Sequence, residues 1–271
     1  SIDSAPDDTS TETAEVVEMM KVGEVTFENI YDYRILRVFA GTRPLYSADP
    51  NAKGRSASRG FVALDHAHEG VKHFFSVCGG KFTTYRLMAE KVCNMVCEQL
   101  GVNEKCHTAE ENLVDDPSPE LINRAKAVFP SYGAELAASR LGNEKLEHVI
   151  DRIEKQPEMK ELICECENVT RAEIEEVAAE PTSHTVSDIR RRTRIGMGTC
   201  QGTFCAYRSV GAVDKEEVPW AKDTTYLLKE FLETRWKGIR PVLWGNMFRD
   251  IELTRAIYDA ALNLTGVEDI K

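Results

Sequence analysis

The residues best suited to chemistry are four cysteines in two tight pairs, Cys164 and Cys166 in a C-x-C and Cys200 and Cys205 in a C-x4-C. Thiolates are ligands for soft metals, and two pairs at the ends of short elements can converge on one centre. A mononuclear zinc site takes four thiolates in a tetrahedron, usually from C-x2-C or wider knuckles that let both sulfurs face one ion. C-x-C is tight for such a knuckle. It suits a [2Fe–2S] cluster better, because its two sulfurs need not crowd one small cation. Gly196, Gly198 and Gly202 frame the second pair, where a backbone without side chains can bend closely and aim N–H groups at inorganic sulfides. Arg190, Arg191, Arg192 and Arg194 bring positive charge just before it, which would help to hold an anionic cluster. The [2Fe–2S] reading is preferred, with structural zinc, free core cysteines or disulfides as the alternatives. The same glycines resemble a dinucleotide fingerprint, but that motif follows an apolar strand of a βαβ unit. Here the basic run Ser187 to Arg194 precedes it, and the dinucleotide reading is rejected.

The elements that must position the thiols can be read from the pattern between and around them. One helix-length segment, a Pro/Ser/Thr turn and an arginine-rich helical run separate the pairs. Upstream, residues 117–157 are helical with breaks at Pro130 and Gly142, and carry the apolar stripes Leu121/Ile122/Ala125/Val128 and Leu146/Val149/Ile150. Downstream, residues 222–264 form a helical stretch kinked near Gly238 and Pro241. Trp220, Trp236 and Trp244 fall in or beside it and are read as core packing ahead of a docking surface.

A second stretch with chemical potential is Gly79-Gly80-Lys81-Phe82-Thr83-Thr84-Tyr85-Arg86, joining a strand to a helix over 87–100 that Gly101 ends. A glycine turn into a threonine helix start leaves unpaired N–H groups at the positive end of a helix dipole, able to hold an oxyanion. An ordinary turn and cap is an equal reading. Strand-like patterns are expected from Arg34 to Tyr46, from Arg59 to His66 and from Val71 to Cys78, with a polar loop over 48–58 and a helical start near Thr13. Cys78, Cys93, Cys97 and Cys106 read as buried thiols, and His66 and His68 as surface polar residues.

At 271 residues, about two domains are expected. A net charge of −11 argues against a nucleic-acid partner. No apolar run reaches the roughly 20 residues of a membrane helix, and no signal peptide opens the chain. Eight cysteines without a secretory signal point to a reducing compartment, so a cytoplasmic location is expected. Ser1 to Asp8 reads as a solvated linker without an initiating Met, as in a fragment.

Three runs, Ala40-Gly41-Thr42-Arg43-Pro44-Leu45, Ser58-Arg59-Gly60 and Gly79 to Arg86, resemble the second half of the flavin-dependent glycerol-3-phosphate dehydrogenases. The cysteine module followed by Arg235-Trp236-Lys237-Gly238-Ile239-Arg240-Pro241 narrows the resemblance to the FAD-bearing catalytic subunits of the anaerobic enzymes. The module itself is similar to bacterioferritin-associated ferredoxin-like (BFD-like) domains, many of which carry C-x2-C as the second pair. The resemblance implies oxidation of glycerol 3-phosphate to dihydroxyacetone phosphate with FAD, and a [2Fe–2S] cluster relaying electrons to partner subunits and a quinone pool. It implies substrate-site roles for Arg43 and Arg59, whose planar forks suit a phosphate dianion. Lys81 would lie between substrate and flavin. Gly79, Gly80, Lys81, Phe82, Thr83 and Thr84 would line the flavin's pyrimidine edge. The cluster ligands would be Cys164, Cys166, Cys200 and Cys205. One departure stands out: the family's glycine fingerprint for the FAD pyrophosphate is not in this chain. The 271 residues alone are therefore expected to bind FAD weakly and to lack the base for the substrate hydroxyl.

The expected fold is α+β, a remnant of a flavoprotein cap and FAD-domain sheet followed by mostly helical modules. The expected division is 1–104 as partial FAD and substrate domain, 105–160 as helical linker, 161–215 as BFD-like domain and 216–271 as helical tail. Attachment to the inner face of the cell membrane is compatible with this. The competing functional classes are a non-enzymatic iron–sulfur electron carrier or redox sensor, and a zinc-stabilised docking domain.

Overall fold

The computed structural model describes residues 7–43, 45–47, 60–130, 132–213 and 218–264. Arg59 and the loop expected over 48–58 lie outside them. The chain divides into two compact units, Ser1–Thr9 with Ala40–Leu113, and Ser10–Phe39 with Val114–Lys271. Helix α1 (Thr13–Glu24) belongs to the second.

The first unit is an antiparallel pair, β1 (Phe61–Asp65) and β2 (Phe75–Gly79), backed by helix α2 (Tyr85–Leu100). Register runs from Phe61 opposite Gly79 to Asp65 opposite Phe75. His66 joins the turn to the strand, with Nδ1 2.9 Å from Glu69 and Nε2 2.9 Å from Ser76. Gly101, in the left-handed region at φ 69°, ends α2 as its sequence predicts. The thiols differ from expectation. Cys93 is exposed and Cys97 half-buried, because a two-stranded sheet shields only a narrow face of the helix.

The strand expected from Arg34 to Tyr46 does not form. A 3₁₀ turn at Ile30–Asp32 leads into irregular chain whose donors are satisfied elsewhere in the second unit. Arg34 Nη2 donates to the Thr199 carbonyl (2.8 Å), Arg37 Nη2 to that of Thr234 (3.0 Å), and the Val38 N–H to that of Gly238 (2.8 Å). A segment bonded to helix carbonyls has no ladder to offer a neighbouring strand. A Cβ at Gly238 would lie 2.5 Å from Arg37 Nε, so this close approach needs glycine.

The second unit holds the main core. Helix α3 (Pro119–Val128) opens on Ser118, whose hydroxyl accepts from the Leu121 N–H (3.1 Å), with proline in the first turn. It packs against α4 (Gly133–Lys155), which kinks where Gly142 leaves helical geometry at φ 72°, ψ −170°. Leu121, Ala125, Leu146, Val149 and Ile150 are buried, as the two stripes require. A short antiparallel hairpin follows, β3 (Leu162–Cys164) with β4 (Val169–Thr170), and then α5 (Arg171–Ala178), α6 (Val186–Thr193) and α7 (Cys205–Ala212). The kinked tail is α8 (Thr224–Ile239) and α9 (Asn246–Leu262). Leu227, Leu228 and Phe231 of α8 join the same core, and Trp220 packs on it with Nε1 donating to the Ala178 carbonyl at 3.2 Å. No described helix is long and apolar enough to cross a membrane.

One buried ion pair ties these parts together. Arg140 and Glu173 meet at 2.7 Å with side chains 4% and 0% exposed. Glu173 also accepts from the Thr170 N–H (2.8 Å) and hydroxyl (3.0 Å), capping α5. Arg140 further donates to the carbonyls of Glu167 (2.8 Å) and Asn168 (3.3 Å). Removing one member leaves the other charge buried alone, at a cost of about 3–5 kcal/mol, whereas removing both is far milder. Glu173→Ala should therefore lower unfolding free energy by about that amount in urea titration, and Arg140→Met/Glu173→Leu by much less. Equal losses in the single and double variants would show the pair to be uncoupled.

Candidate metal centre

The four cysteines are placed by three separate elements. Cys164 ends β3, Cys166 lies in the turn after it, Cys200 sits in the loop following α6, and Cys205 opens α7. The turn between β3 and β4 is held by Arg140 through the Glu167 and Asn168 carbonyls, with Asn168 left-handed at φ 51°. From the other side, Arg208 of α7 donates to the Ile163 carbonyl and to Glu165 (2.6 Å). Strand β3 is thus clasped to the helix that begins with Cys205.

The second loop needs its glycines, for reasons only partly those expected. A Cβ at Gly198 would lie 2.3 Å from the Cys166 Cβ, so glycine there lets the two cysteine segments touch. Gly196 (φ 70°) and Gly202 (φ 88°) instead face the Phe231 ring of α8, which an added Cβ would meet at 2.8 Å. Buried Gln201 closes the loop, its Nε2 donating to the carbonyls of Met197 (2.9 Å) and Gly198 (3.0 Å).

All four thiols are free, and they form one connected group. Cys205 is hydrogen-bonded to Cys164 and Cys200, and Cys200 to Cys166. Cys164 is pulled down to about 7, first by the Cys205 thiol and then by the N–H groups of Gly196 and Glu167, against its burial. Cys200 is pulled down to about 5 by Cys205, by the N–H groups of Phe204 and Gly202, and by Cys166. Cys205 is pushed up by its two thiol neighbours and by burial. Deprotonated sulfur ringed by backbone N–H groups is a metal-ligand environment.

The donor set fits a cluster of two irons. Among the described residues, no three His, Cys, Asp or Glu side chains are disposed to hold a single ion, as a zinc knuckle would need. A two-iron centre asks for only two thiolates at each metal. The arginine run contributes less than its composition suggests. Arg191 pairs with Asp188 (2.7 Å), Arg192 with Glu180 (3.3 Å) and Arg194 with Glu167 (2.9 Å). Arg140, Arg208 and Phe231 escape sequence reasoning altogether, because nothing local marks a residue for contact with a loop far along the chain.

At the other stretch, Gly79 (φ 82°) and Gly80 (φ 80°) make the expected turn, where a Cβ would strike the Gly60 carbonyl oxygen or Met88 Sδ at 2.5 Å. Thr84 Oγ1 accepts from the Lys81 N–H (3.1 Å), while Lys81, Phe82 and Thr83 are exposed. Arg43 is exposed, and no hydrogen bond or ion pair joins it to Lys81. Arg59 lies outside the described residues.

Residues 162–210 match the family model for the BFD-like [2Fe–2S] binding domain, which defines the class of this module. Nearly the whole chain is also similar to the FAD-bearing catalytic subunits of anaerobic glycerol-3-phosphate dehydrogenases. Identity is 36% with the Haemophilus influenzae protein (94% of this chain, 45% of that one) and 36% with the Escherichia coli K12 protein (95% and 47%). The corresponding Haloferax volcanii protein is 32% identical (95% and 44%). The chain is a homologue of these dehydrogenase subunits and spans a little under half their length. No solved structure matches it significantly.

Gly198→Ala should strip most of the iron from anaerobically purified protein, because the new methyl must displace the Cys166 segment. Iron analysis and the visible spectrum report this directly, and full iron in that variant would refute the contact.

Proposed function

We propose that this chain is the cluster-bearing part of an FAD-dependent sn-glycerol-3-phosphate dehydrogenase. In this reading Cys164, Cys166, Cys200 and Cys205 hold a [2Fe–2S] centre. The observation that carries the proposal is the gathering of four free thiols within a segment matching the BFD-like domain. The extent of the similarity to the anaerobic dehydrogenase subunits supports the dehydrogenase assignment.

When bound, the flavin accepts the C2 hydride of glycerol 3-phosphate, giving dihydroxyacetone phosphate, and the cluster supplies one-electron transfer. Arg43 and Arg59 bind the phosphate dianion by paired charge-assisted bonds. Lys81 lies between substrate and flavin. The main chain from Gly79 to Thr84 lies along the flavin's pyrimidine edge, where the start of α2 favours negative charge. The exposure of Lys81, Phe82 and Thr83 is compatible with such a contact.

The thiols are unequally covered: Cys164 and Cys205 are buried, Cys200 is half-buried and Cys166 is exposed. An exposed edge beside Cys166 favours electron exit to partner subunits and from them to a quinone pool. The location that fits is the cytoplasm, peripheral to the inner face of the cell membrane.

Anaerobic addition of glycerol 3-phosphate to the full-length protein should bleach the flavin and then produce a reduced-cluster signal in electron paramagnetic resonance. Cys200→Ser should abolish that signal while flavin reduction persists, and Arg43→Ala should raise the substrate KM at least about tenfold, as loss of a charge-assisted phosphate contact predicts. A cluster that stays oxidised while the downstream acceptor is reduced would exclude it from the electron path. Zinc in place of iron would sink the cluster reading altogether.

A further inference from the structure

Arg235 lies on α8, beyond the segment matched to the [2Fe–2S] domain, and is almost fully buried at 4% exposure. Its Nη2 donates to Thr203 Oγ1 at 2.8 Å, and that hydroxyl donates to the Cys200 carbonyl at 2.9 Å. Thr203 is held from the other side by the Tyr258 hydroxyl, which donates to its carbonyl. One turn before Arg235, Phe231 packs against Gly196 and Gly202. A single face of α8 therefore seats on the loop that presents Cys200 and Cys205.

The electrostatics of Arg235 are incomplete within the polypeptide. No carboxylate pairs with it among the described residues, and its buried Nε has no hydrogen-bond partner. Burial lowers its pKa, Arg37 adds to that, and the charges that oppose it are Cys200, Tyr258 and Cys205. A guanidinium out of water without an anion is costly, so a buried negative charge is expected beside it. An iron–sulfur centre on four thiolates is negative and becomes more so on reduction.

We propose that Arg235 is the counter-charge of the cluster, a positioning residue that holds the Cys200–Cys205 loop through Thr203 and raises the reduction potential of the centre. The proposal rests on the cluster reading above and extends the site from residues 162–210 into the C-terminal helices. Favouring the more negative reduced state is what a fixed nearby cation does. It would also make the centre the easier acceptor of electrons from a flavin.

The test is redox titration of anaerobically purified full-length protein, followed by electron paramagnetic resonance, with iron-free samples unfolded in parallel. In Arg235→Met the midpoint should move negative, or the cluster should be lost. In Arg235→Lys the cluster should persist with a midpoint close to wild type. Iron-free Arg235→Met should unfold at a temperature equal to or above that of iron-free wild type, because it no longer buries an unpaired charge. An unchanged midpoint in Arg235→Met overturns the proposal, as does loss of the cluster in both variants or a lower unfolding temperature of the iron-free methionine variant. Wild-type protein that holds no iron–sulfur cluster would instead overturn the underlying reading.

Discussion

The cysteine hairpin depends on a guanidinium that has left water. Arg140 reaches from α4 to Glu173 on α5 and to two carbonyls of the turn that follows Cys166. Its partner caps the helix beginning four residues after that turn's first bonded carbonyl. Bury either charge without the other and the desolvation cost is no longer offset. The turn, the helix cap and the helical hairpin behind them are therefore fixed together. That coupling gives two short strands, otherwise too small to be stable, a single conformation.

Around that anchor the site is built by clasping. Arg208 ties β3 to the helix that starts at Cys205, so the two cysteine pairs are held by contacts other than the thiols themselves. Metal binding then meets a site whose backbone is already organised, which lowers the ordering cost at the moment of binding. The N–H groups of Gly196, Gly202, Phe204 and Glu167 turned toward sulfur belong to the same design. They favour thiolate before any metal arrives.

The glycines illustrate how a residue type can be right for a reason other than the first one that suggests itself. Three glycines around a cysteine pair imply close backbone approach, and the loop does approach closely. Yet only Gly198 makes room for the other cysteine segment, while Gly196 and Gly202 make room for an aromatic ring from α8. The arginine run behaves similarly. Its charge is largely neutralised by Asp188, Glu180 and Glu167, and a lone arginine in the tail faces the thiols instead.

What the sequence determined by itself was everything carried by short-range spacing. C-x-C and C-x4-C, the stripes of α3 and α4, the breaks at Pro130 and Gly142, and the Gly79–Gly80 turn depend on residues a few positions apart, where geometry follows from periodicity and φ. The irregular course of residues 33–43 escaped it, because β-branched and aromatic residues suit a strand equally well whether or not a partner strand exists. Only the tertiary structure decided that this segment would bond to helix α8, and that Cys93 would stay exposed on a helix backed by two strands. It alone chose Arg140, Arg208 and Arg235 from the chain's arginines. A long cationic side chain carries no local mark of the loop it will reach; burial and the carbonyls it finds there assign its role.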